Sequence, residues 1–561
     1  MPIKKEGSSR LFFILGTLIF FLFCSKEIAN FYQTGHAGFI NAEVGLSHMN
    51  TINNGFLKTK LGSTNHKFIY DRAPEPDEYY VRYPHLHNLL MSLLWTITGP
   101  SEIAAQIFAI LLVFASFFTF FFVARELQFS RLAASLSFLA LCCFPVMFHY
   151  ARLSNGEISA LLFHVLSLFF YIKLAKTGRF KHRLLFLVML SVTCQLFWYG
   201  YITAFVFFLD TLWGLFLRKE KKNWRLAADL VGAVAVNIGI FIIHTIWMVG
   251  SIKKVFEAFL WRAGIDVPAT QTFSLGEYLV NNLNRWWLFN PLVILLALIN
   301  LFFVFKKRQS AGILRLKRRI YIILILAPLL FMALLSHLVN YHDFLVLYFA
   351  FFLALSSAET VSRIVKKMGN TVTAKTALII YGIFLVAFAG YGLFHPTEEK
   401  MIDKERDNYE LYYVLKVISH TTQPSEHFLL TLNRDQMPQV RFYLRRESSV
   451  VHVLPWAKGY VESGRFDYYL VDGRDPYKPL VKYLLHNYRA YKYDRYFLFD
   501  IRKKGSGLRV FKREKRKTGL LFKYFVSFFH QPGGYQEITD RQSIKNVYNR
   551  LEGVPDLYKE H

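Results

Sequence analysis

The chain has 561 residues, of which 53% are hydrophobic and 17% aromatic, and its mean hydropathy is positive. Soluble domains rarely sustain this composition, whereas apolar runs of about 20 residues, the length that crosses a bilayer, recur through the first 395 residues. The net charge of +28 could suggest a polyanionic partner, but its placement along the chain argues against nucleic acid.

Positive charge is concentrated in six short segments, of which one precedes the first apolar run and five lie between alternate runs. Together these segments hold 26 of the 67 Lys and Arg residues and only three acidic residues. Basic residues crowded into short loops are typical of the cytoplasmic side of a membrane protein. The sequence therefore predicts that these loops and the N-terminus are cytoplasmic, that the charge sets the topology, and that nucleic acid is not a partner.

Eleven apolar runs are predicted to span the membrane, and they form a helical membrane domain over residues 1–395. The run from 184 to 217 counts as two spans because the polar-aromatic Trp198–Tyr201 divides it. In chain order the runs are 11–26, 101–124, 132–150, 157–175, 184–198, 200–217, 226–247, 287–305, 319–337, 343–361 and 375–394. The first run lacks a small-residue cleavage motif, so it is expected to be a retained span.

The odd number of spans places segment 26–87, segment 248–286 and the C-terminal residues outside the cytoplasm. Segment 26–87 is long for a connector and contains the first candidate catalytic residue, Glu43, in a stretch predicted to be a short helix. A carboxylate at the membrane boundary is partly desolvated, which raises its pKa towards the range of a general base. The alternative is an ordinary solvated glutamate.

Other polar residues of this first external loop suggest ligand binding. Asp77 and Glu78 are adjacent carboxylates that could hold a divalent cation, although such a pair is more often a solvated loop tip. Arg82 and His85 flank Tyr83-Pro84 just before the chain returns to the membrane. An arginine with a nearby imidazole at a bilayer surface suits a phosphate group, and interfacial anchoring is the alternative.

Three further candidates lie in the later external segments. Glu157 opens an apolar span after a very short turn, where a carboxylate is costly unless it is paired or faces a cavity. Arg262 is the arginine of an aromatic, amphipathic stretch, and such a residue suits a lipid phosphate. His342 lies at the outer end of a predicted span.

Residues 396–561 are more polar, and short β-type runs alternate in them with helical stretches. Strands are predicted at 428–431, 468–471 and 496–499, and helices at 405–420 and 476–488. This alternation favours a small external α/β domain. The chain contains no Asn-x-Ser/Thr acceptor site, which favours a bacterial membrane.

The order of these features resembles the GT-C superfamily of integral-membrane glycosyltransferases. Within it, the chain looks most like the family of the protein O-mannosyltransferases and the lipid A aminoarabinose transferases. The segments that carry the resemblance are GFINAEVGLSHMNTINNGFLKTKLG at 38–62, YYVRYPHLHNLLMSLLWTITGPSEIAAQ at 79–106, ARLSNGEIS at 151–159, FWYGY at 197–201 and NYHDFLVLYFAFFLALSSA at 340–358.

The resemblance implies a GT-C-like bundle of about eleven transmembrane helices with a long first external loop and a small C-terminal α/β domain. It implies transfer of a sugar from a polyprenyl-phosphate donor to an external lipid, glycan or protein, with inversion, in a bacterial inner membrane. The family's Asp-Glu pair falls near Ile40-Asn41, so the role of base passes to Glu43.

Within the same resemblance, Glu157 positions the acceptor or acts in place of Glu43. The donor phosphate is then expected to be bound by Arg82, His85, Arg262 and His342. A divalent metal stays open, with Asp77 and Glu78 as its candidates, and membrane lipids are expected partners. Two other classes of protein remain as alternatives: a transporter or flippase for a lipid-linked substrate, and a catalytically inactive membrane scaffold.

Overall fold

The computed structural model describes residues 5–28, 36–64, 67–216, 223–265, 272–306, 312–369, 371–394, 408–432, 438–451, 454–473, 477–513, 535–538 and 545–547. Contacts divide the chain into two compact units. The first comprises Met1–Ile28, Tyr80–Met91 and Ile103–Thr397, and the second comprises Ala29–Tyr79, Ser92–Glu102 and Glu398–His561. Residues 29–79, most of the segment predicted to be the first external loop, therefore belong to the same unit as the C-terminal residues.

The first unit is a bundle of α-helices, and each predicted span overlaps one helix or two consecutive helical segments. The prediction of a mainly helical, polytopic fold is confirmed. In chain order its helices are α1 (Lys5–Glu27), the start of α3 (Leu86–Thr98), α4 (Glu102–Glu126), α5 (Arg131–Cys143), α6 (Pro145–Tyr150), α7 (Gly156–Thr177), α8 (Phe180–Leu196), α9 (Tyr199–Phe216), α10 (Asn223–Val249), α11 (Lys253–Ala263), α12 (Leu275–Asn284), α13 (Pro291–Lys306), α14 (Ile313–Leu334), α15 (Ser336–Tyr341), α16 (Ala350–Met368) and α17 (Val372–Phe394). Helix α2 (His36–Asn54) lies in the second unit.

Six helices among the described residues are long and apolar enough to cross a membrane. They are α4, α7, α9, α10, α16 with the 3₁₀ turn before it, and α17. Other predicted spans break or shorten for local reasons. Pro145 separates α5 from α6 because proline cannot continue the preceding hydrogen-bond ladder. Phe197 is extended between α8 and α9, which confirms the predicted division there.

Helix α16 forms the centre of the bundle, since its residues Ala350 to Val361 are all buried. Small side chains let neighbouring helices approach closely, and polar side chains form hydrogen bonds to them. The Ser356 hydroxyl donates to the carbonyl of Ala297 at 3.1 Å, and the Thr360 hydroxyl donates to the carbonyl of Leu296 at 2.9 Å. These two bonds attach α16 to α13.

A second polar contact joins helices α7, α9 and α14. Arg319 donates from Nε to both carboxylate oxygens of Asp210 at 2.9 Å, and its Nη2 donates to the Tyr171 hydroxyl at 2.7 Å. Tyr171 in turn donates to Asp210. Asp210 and Arg319 are 12% and 14% exposed, so the pair is largely removed from water. The intramembrane carboxylate of Asp210 is thus compensated by its neighbours.

Replacing Asp210 with asparagine is expected to destabilise the bundle by roughly 3–5 kcal/mol, because it leaves the Arg319 charge buried without its partner. Thermal unfolding of the detergent-solubilised protein measures the effect. The double variant Asp210→Asn, Arg319→Gln is expected to be more stable than either single variant. Additive losses in this double-mutant cycle would contradict a direct ion pair.

The described residues of the second unit include a seven-stranded mixed sheet, which confirms the predicted small C-terminal sheet. Its strands are β1 (Phe428–Thr431), β2 (Ser448–Val450), β3 (Tyr468–Asp472), β4 (Tyr488–Tyr493), β5 (Tyr496–Lys504), β6 (Leu508–Arg513) and β7 (Tyr535–Ile538). Its helices after the membrane bundle are α18 (Asn408–Thr421), α19 (Pro438–Leu444), α20 (Leu454–Glu462) and α21 (Lys478–Asn487).

The strand order is β2-β1-β3-β5-β4-β6-β7. Strand β1 pairs in parallel with β2 and β3, whereas β5 runs antiparallel to β3 and β4. Every residue of β1 and β3 is buried, as expected for central strands covered on both faces. Leu480, Val481 and Leu484 of α21 pack into this core.

Candidate active site

The segment between Tyr80 and His85 lies in the first unit and carries the first part of the candidate site. Its backbone is held by Trp198, whose Nε1 donates to the carbonyl of Arg82 at 2.9 Å. The Tyr83 ring lies 5.8 Å from the Tyr80 ring and 5.6 Å from the Phe197 ring, measured between centroids. These contacts fix the side chain of Tyr83.

Glu157 lies in the first turn of α7 and is 7% exposed. Asn155 caps this helix, since its side-chain oxygen accepts from the backbone N–H of Ile158 at 3.1 Å. The Tyr348 hydroxyl donates to the carbonyl of Glu157 at 3.0 Å. A capped helix start and a buried tyrosine therefore hold the backbone that presents the Glu157 carboxyl group.

Gly156 allows α7 to begin against the end of α8, because a Cβ atom there would lie 2.4 Å from the carbonyl oxygen of Leu196. Gly156→Ala is expected to lower the thermal unfolding temperature and to displace Glu157. The matched control is Gly232→Ala in α10, where an added Cβ meets nothing within 4 Å. Equal unfolding temperatures for the two variants would contradict the close approach.

Arg262 lies on α11 and is 3% exposed. Its guanidinium carbon is 4.4 Å from the centre of the Tyr83 ring, a cation–π contact. The Tyr83 side chain is within hydrogen-bonding reach of both Arg262 and Glu157. Among the described residues, the buried Nε of Arg262 has no hydrogen-bond partner. Arg262, Tyr83 and Glu157 form what we call the Arg262 cluster.

A buried guanidinium N–H without a partner is costly, because its desolvation is not compensated. Arginine nitrogens match the oxygens of phosphate and carboxylate groups in geometry and charge. The Arg262 cluster is therefore suited to an anionic ligand beside a carboxyl group. The sequence identified Arg262 and Glu157, and the structure brings them together through Tyr83.

The two histidines near Pro84 have different surroundings. The His85 ring is buried, 4.9 Å from the His244 ring, and burial together with His244 lowers the pKa of His85 to about 3. His85 is therefore neutral near pH 7 and can offer a hydrogen bond but no charge. His87 lies 3.0 Å from both the Ser159 hydroxyl and the carbonyl of Ser154. His87 thereby joins α3 to α7, a role that was not predictable from its place in the sequence.

The remaining predicted phosphate ligands contact other groups. The Arg82 side chain is exposed, with its guanidinium carbon 5.6 Å from the centre of the Tyr80 ring. His342 ends α15, and its ring lies 5.4 Å from that of Phe344. The contacts in the described part of the chain thus place Arg262 beside Glu157, whereas the contacts given for Arg82, His85 and His342 are with Tyr80, His244 and Phe344.

Tyr348 and Tyr199 were not identified from the sequence. Their rings are stacked with centroids 3.6 Å apart, and Tyr348 contacts the backbone of Glu157. The sequence signal for this region was the glycine in FWYGY at 197–201. In the structure, the Cβ of any residue replacing Gly200 would lie 2.4 Å from the backbone nitrogen of Cys194. Such a glycine marks a close backbone contact.

Glu43 lies on α2 in the second unit and is half-buried. Asn50 on the same helix orders the loop that follows: its side-chain oxygen accepts from the backbone N–H of Ile69 at 2.9 Å, and its amide donates to the Thr64 hydroxyl at 2.8 Å. The predicted short helix after the first span is therefore a helix of 19 residues, fastened to its loop by buried hydrogen bonds.

Glu78, one of the two carboxylates predicted as candidate metal ligands, instead forms ion pairs with neighbouring basic residues. Its side chain is 2% exposed and is held by Arg72, with Nη1–Oε2 and Nη2–Oε1 distances of 2.7 and 2.9 Å, and by Lys67 at 3.3 Å. Asp77 is exposed. No group of three His, Cys, Asp or Glu side chains that could hold a metal is found among the residues described. Glu78 is thus an ion-pair residue.

Burial alone would raise the pKa of Glu78, but the hydrogen bonds from Arg72 and from the backbone of Glu75 lower it to about 2. A lowered carboxyl pKa stabilises the fold above about pH 4.5, and this stabilisation is lost as the pH falls towards 2. The unfolding temperature of Glu78→Gln is therefore expected to lie below that of the wild type at pH 6, with a difference that shrinks in acid. Asp77→Asn is the matched control, and a difference independent of pH would contradict the ion pair.

No protein-family model matches the chain, and no curated protein sequence matches it. The fold is similar to the crystal structure of ArnT from Cupriavidus metallidurans bound to undecaprenyl phosphate, with a TM-score of 0.59, 11% identity, and coverage of 89% of this chain and 98% of that one. The apo state of ArnT is similar as well, with a TM-score of 0.54, 12% identity, and coverage of 88% of this chain and 98% of that one.

The apo form of the Archaeoglobus fulgidus oligosaccharyltransferase is similar as well, with a TM-score of 0.51 and 13% identity, over 89% of this chain and 75% of that one. At these identities the likeness concerns the fold. The chain therefore shares its fold with ArnT and with the archaeal oligosaccharyltransferase, and the predicted GT-C-like fold is confirmed.

Proposed function

We propose that this protein is an integral-membrane glycosyltransferase that moves a sugar from a polyprenyl-phosphate donor to an external acceptor, with inversion. The observation that carries the proposal is the Arg262 cluster, in which a buried guanidinium with an unpartnered Nε lies beside Glu157. The GT-C fold supports it, as does the structure of ArnT bound to undecaprenyl phosphate.

In the proposed reaction, an acceptor hydroxyl attacks the anomeric carbon while the bond from that carbon to the phosphate oxygen breaks. The acceptor proton passes to a carboxylate, and the lipid phosphate leaves with one more negative charge. Arg262 would offset this charge in a site from which water is largely excluded, where a fixed cation is most effective. His85 would add a hydrogen bond, and Arg82 and His342 would contact the phosphate once the donor is bound.

Glu43 is the proposed base, and Glu157 positions the acceptor or acts in its place. Glu157 is buried next to Arg262, which suits a positioning residue. Asp210 bears on the transporter alternative, since a transport path would use ionisable groups within the membrane. Its compensation by Arg319 and Tyr171 supports an enzyme.

We further propose that the protein lies in a bacterial inner membrane with the Arg262 cluster on the extracytoplasmic side. The acceptor is a lipid, glycan or protein of the cell envelope. Basic segments on the opposite side, such as KKRQSAGILRLKRR at 306–319, support this orientation.

Mass spectrometry of envelope glycans and lipids from cells with and without the gene tests the proposed function. A sugar missing without the gene and restored by the wild-type chain is the expected result. Complementation with Arg262→Gln should fail at equal protein abundance in the membrane. Identical glycans and lipids in all strains would contradict the proposal.

A further inference from the structure

A cavity of about 280 Å³ lies between helices α9, α13, α14 and α16, at the end of the bundle where basic residues are concentrated. Five cationic side chains and one carboxylate, that of Glu359, line it. The cationic residues are Arg315, Lys317, Arg318, Arg319 and Arg363. The positive-inside pattern assigns this end of the helices to the cytoplasmic leaflet, opposite the side proposed for the Arg262 cluster.

The positive charge of this cavity is only partly balanced by the protein. Arg363 pairs with Glu359 at 2.6 Å, and the Tyr321 hydroxyl donates to the same carboxylate at 2.7 Å. In contrast, the Lys317 ammonium group is 3.9 Å from the centre of the Phe129 ring, and the Arg318 guanidinium is 4.7 Å from that of Phe305. The carboxylate on the wall is therefore already engaged, and positive charge is left for a ligand.

The other wall of the cavity is apolar and open to the membrane. Trp213, Phe303 and Ile322 line it and are 57%, 47% and 39% exposed. The cavity thus joins a cluster of cations to an exposed apolar surface within one groove. A ligand that satisfies both parts has an anionic headgroup and hydrocarbon chains, and free phosphate satisfies only the first part. Basic pockets between transmembrane helices on the cytoplasmic side have this chemistry.

We propose that this groove binds an anionic phospholipid of the cytoplasmic leaflet. Its phosphate contacts Lys317 and Arg318, and an acyl chain lies against Trp213 and Phe303. The site is distinct in residues and ligand from the proposed donor site, so the two proposals can fail independently.

Native mass spectrometry of the delipidated, detergent-solubilised protein tests this site by titration with phosphatidylglycerol. The wild type is expected to bind it, and Lys317→Gln with Arg318→Gln to weaken binding about tenfold or more, because two headgroup contacts are lost. The matched control is Arg179→Gln with Lys181→Gln, which removes two exposed charges at the start of α8. This control should bind phosphatidylglycerol as the wild type does.

Two further ligands distinguish the sources of the phosphate. Phosphatidylcholine with the same acyl chains should bind more weakly, and millimolar inorganic phosphate should not displace phosphatidylglycerol. Equal binding of both lipids, unchanged binding by the groove variant, or displacement by inorganic phosphate would each overturn the proposal.

A measurement on the wild type covers the case in which the groove variant does not fold. Phosphatidylglycerol with a photoreactive diazirine in one acyl chain is expected to label the peptides containing Trp213 or Phe303. An excess of unlabelled phosphatidylglycerol should suppress that labelling. Labelling confined to other helices would place the lipid elsewhere and overturn the assignment.

Discussion

Replacing Arg262 with glutamine is expected to lower kcat/KM for a polyprenyl-phosphate sugar donor by about 10²–10³-fold, the usual effect of removing one preorganised group that stabilises a developing anion. Arg262 is 3% exposed, so its charge is not screened by water as a surface arginine would be. The glutamine side chain keeps a hydrogen-bond donor but loses the charge that offsets the leaving phosphate. Release of polyprenyl phosphate by the purified protein measures the rate.

Two variants control this result. Arg262→Lys keeps the charge but loses the planar guanidinium that lies over Tyr83, so it should recover only part of the activity. Lys253→Gln removes an exposed charge from the same helix and should leave the rate unchanged. An Arg262→Gln protein with wild-type kcat/KM, folded by circular dichroism, would show that the Arg262 cluster does not bind the donor.

The glutamine variants of Glu43 and Glu157 are expected to separate the two carboxylates by function. Loss of a general base typically lowers the rate of the chemical step by about 10²–10⁴-fold, so Glu43→Gln should lower kcat with little change in donor binding. Glu157→Gln should weaken acceptor binding and raise its KM, because Glu157 is held beside Arg262 by Tyr83. Steady-state kinetics at varied donor and acceptor concentrations resolves the two effects.

The opposite pattern, with the larger loss of kcat in Glu157→Gln, would transfer the role of base to Glu157. If both variants transferred sugar at the wild-type rate, neither carboxylate would take part in the reaction. Glu157→Asp is a useful third variant, since it keeps the charge but withdraws the carboxylate by one methylene group.

The membrane fold was predictable because its signals are strong and local. Apolar runs identified the spans, and the aromatic break at Trp198–Tyr201 marked the end of α8 within three residues. In the sheet, β1, β3 and β5 were found because they are continuous apolar runs. Strand β4 was missed because its sequence, YRAYKY at 488–493, mixes charges with aromatic residues.

The candidate site was predictable only in part. A lone arginine among aromatic residues and a carboxylate opening a span are unusual at a membrane surface, so Arg262 and Glu157 stood out. Tyr83 did not, because a neutral tyrosine at a membrane interface is common and its role depends on residues from α7 and α11. Glu78 stood out as half of a carboxylate pair. Arg72, only six positions away, forms an ion pair with it instead.

The edge strands of the seven-stranded sheet bear on whether neighbouring copies of this membrane protein can pair with one another. Among the residues that the structure describes, the outermost strands β2 and β7 span three and four residues, whereas the interior strand β5 spans nine. Membrane attachment raises the local concentration of neighbouring copies, and a long unpaired edge invites sheets on adjacent chains to join. Short edges offer few free backbone groups for such pairing. The sheet is therefore expected to remain folded in a crowded membrane without joining its neighbours into aggregates.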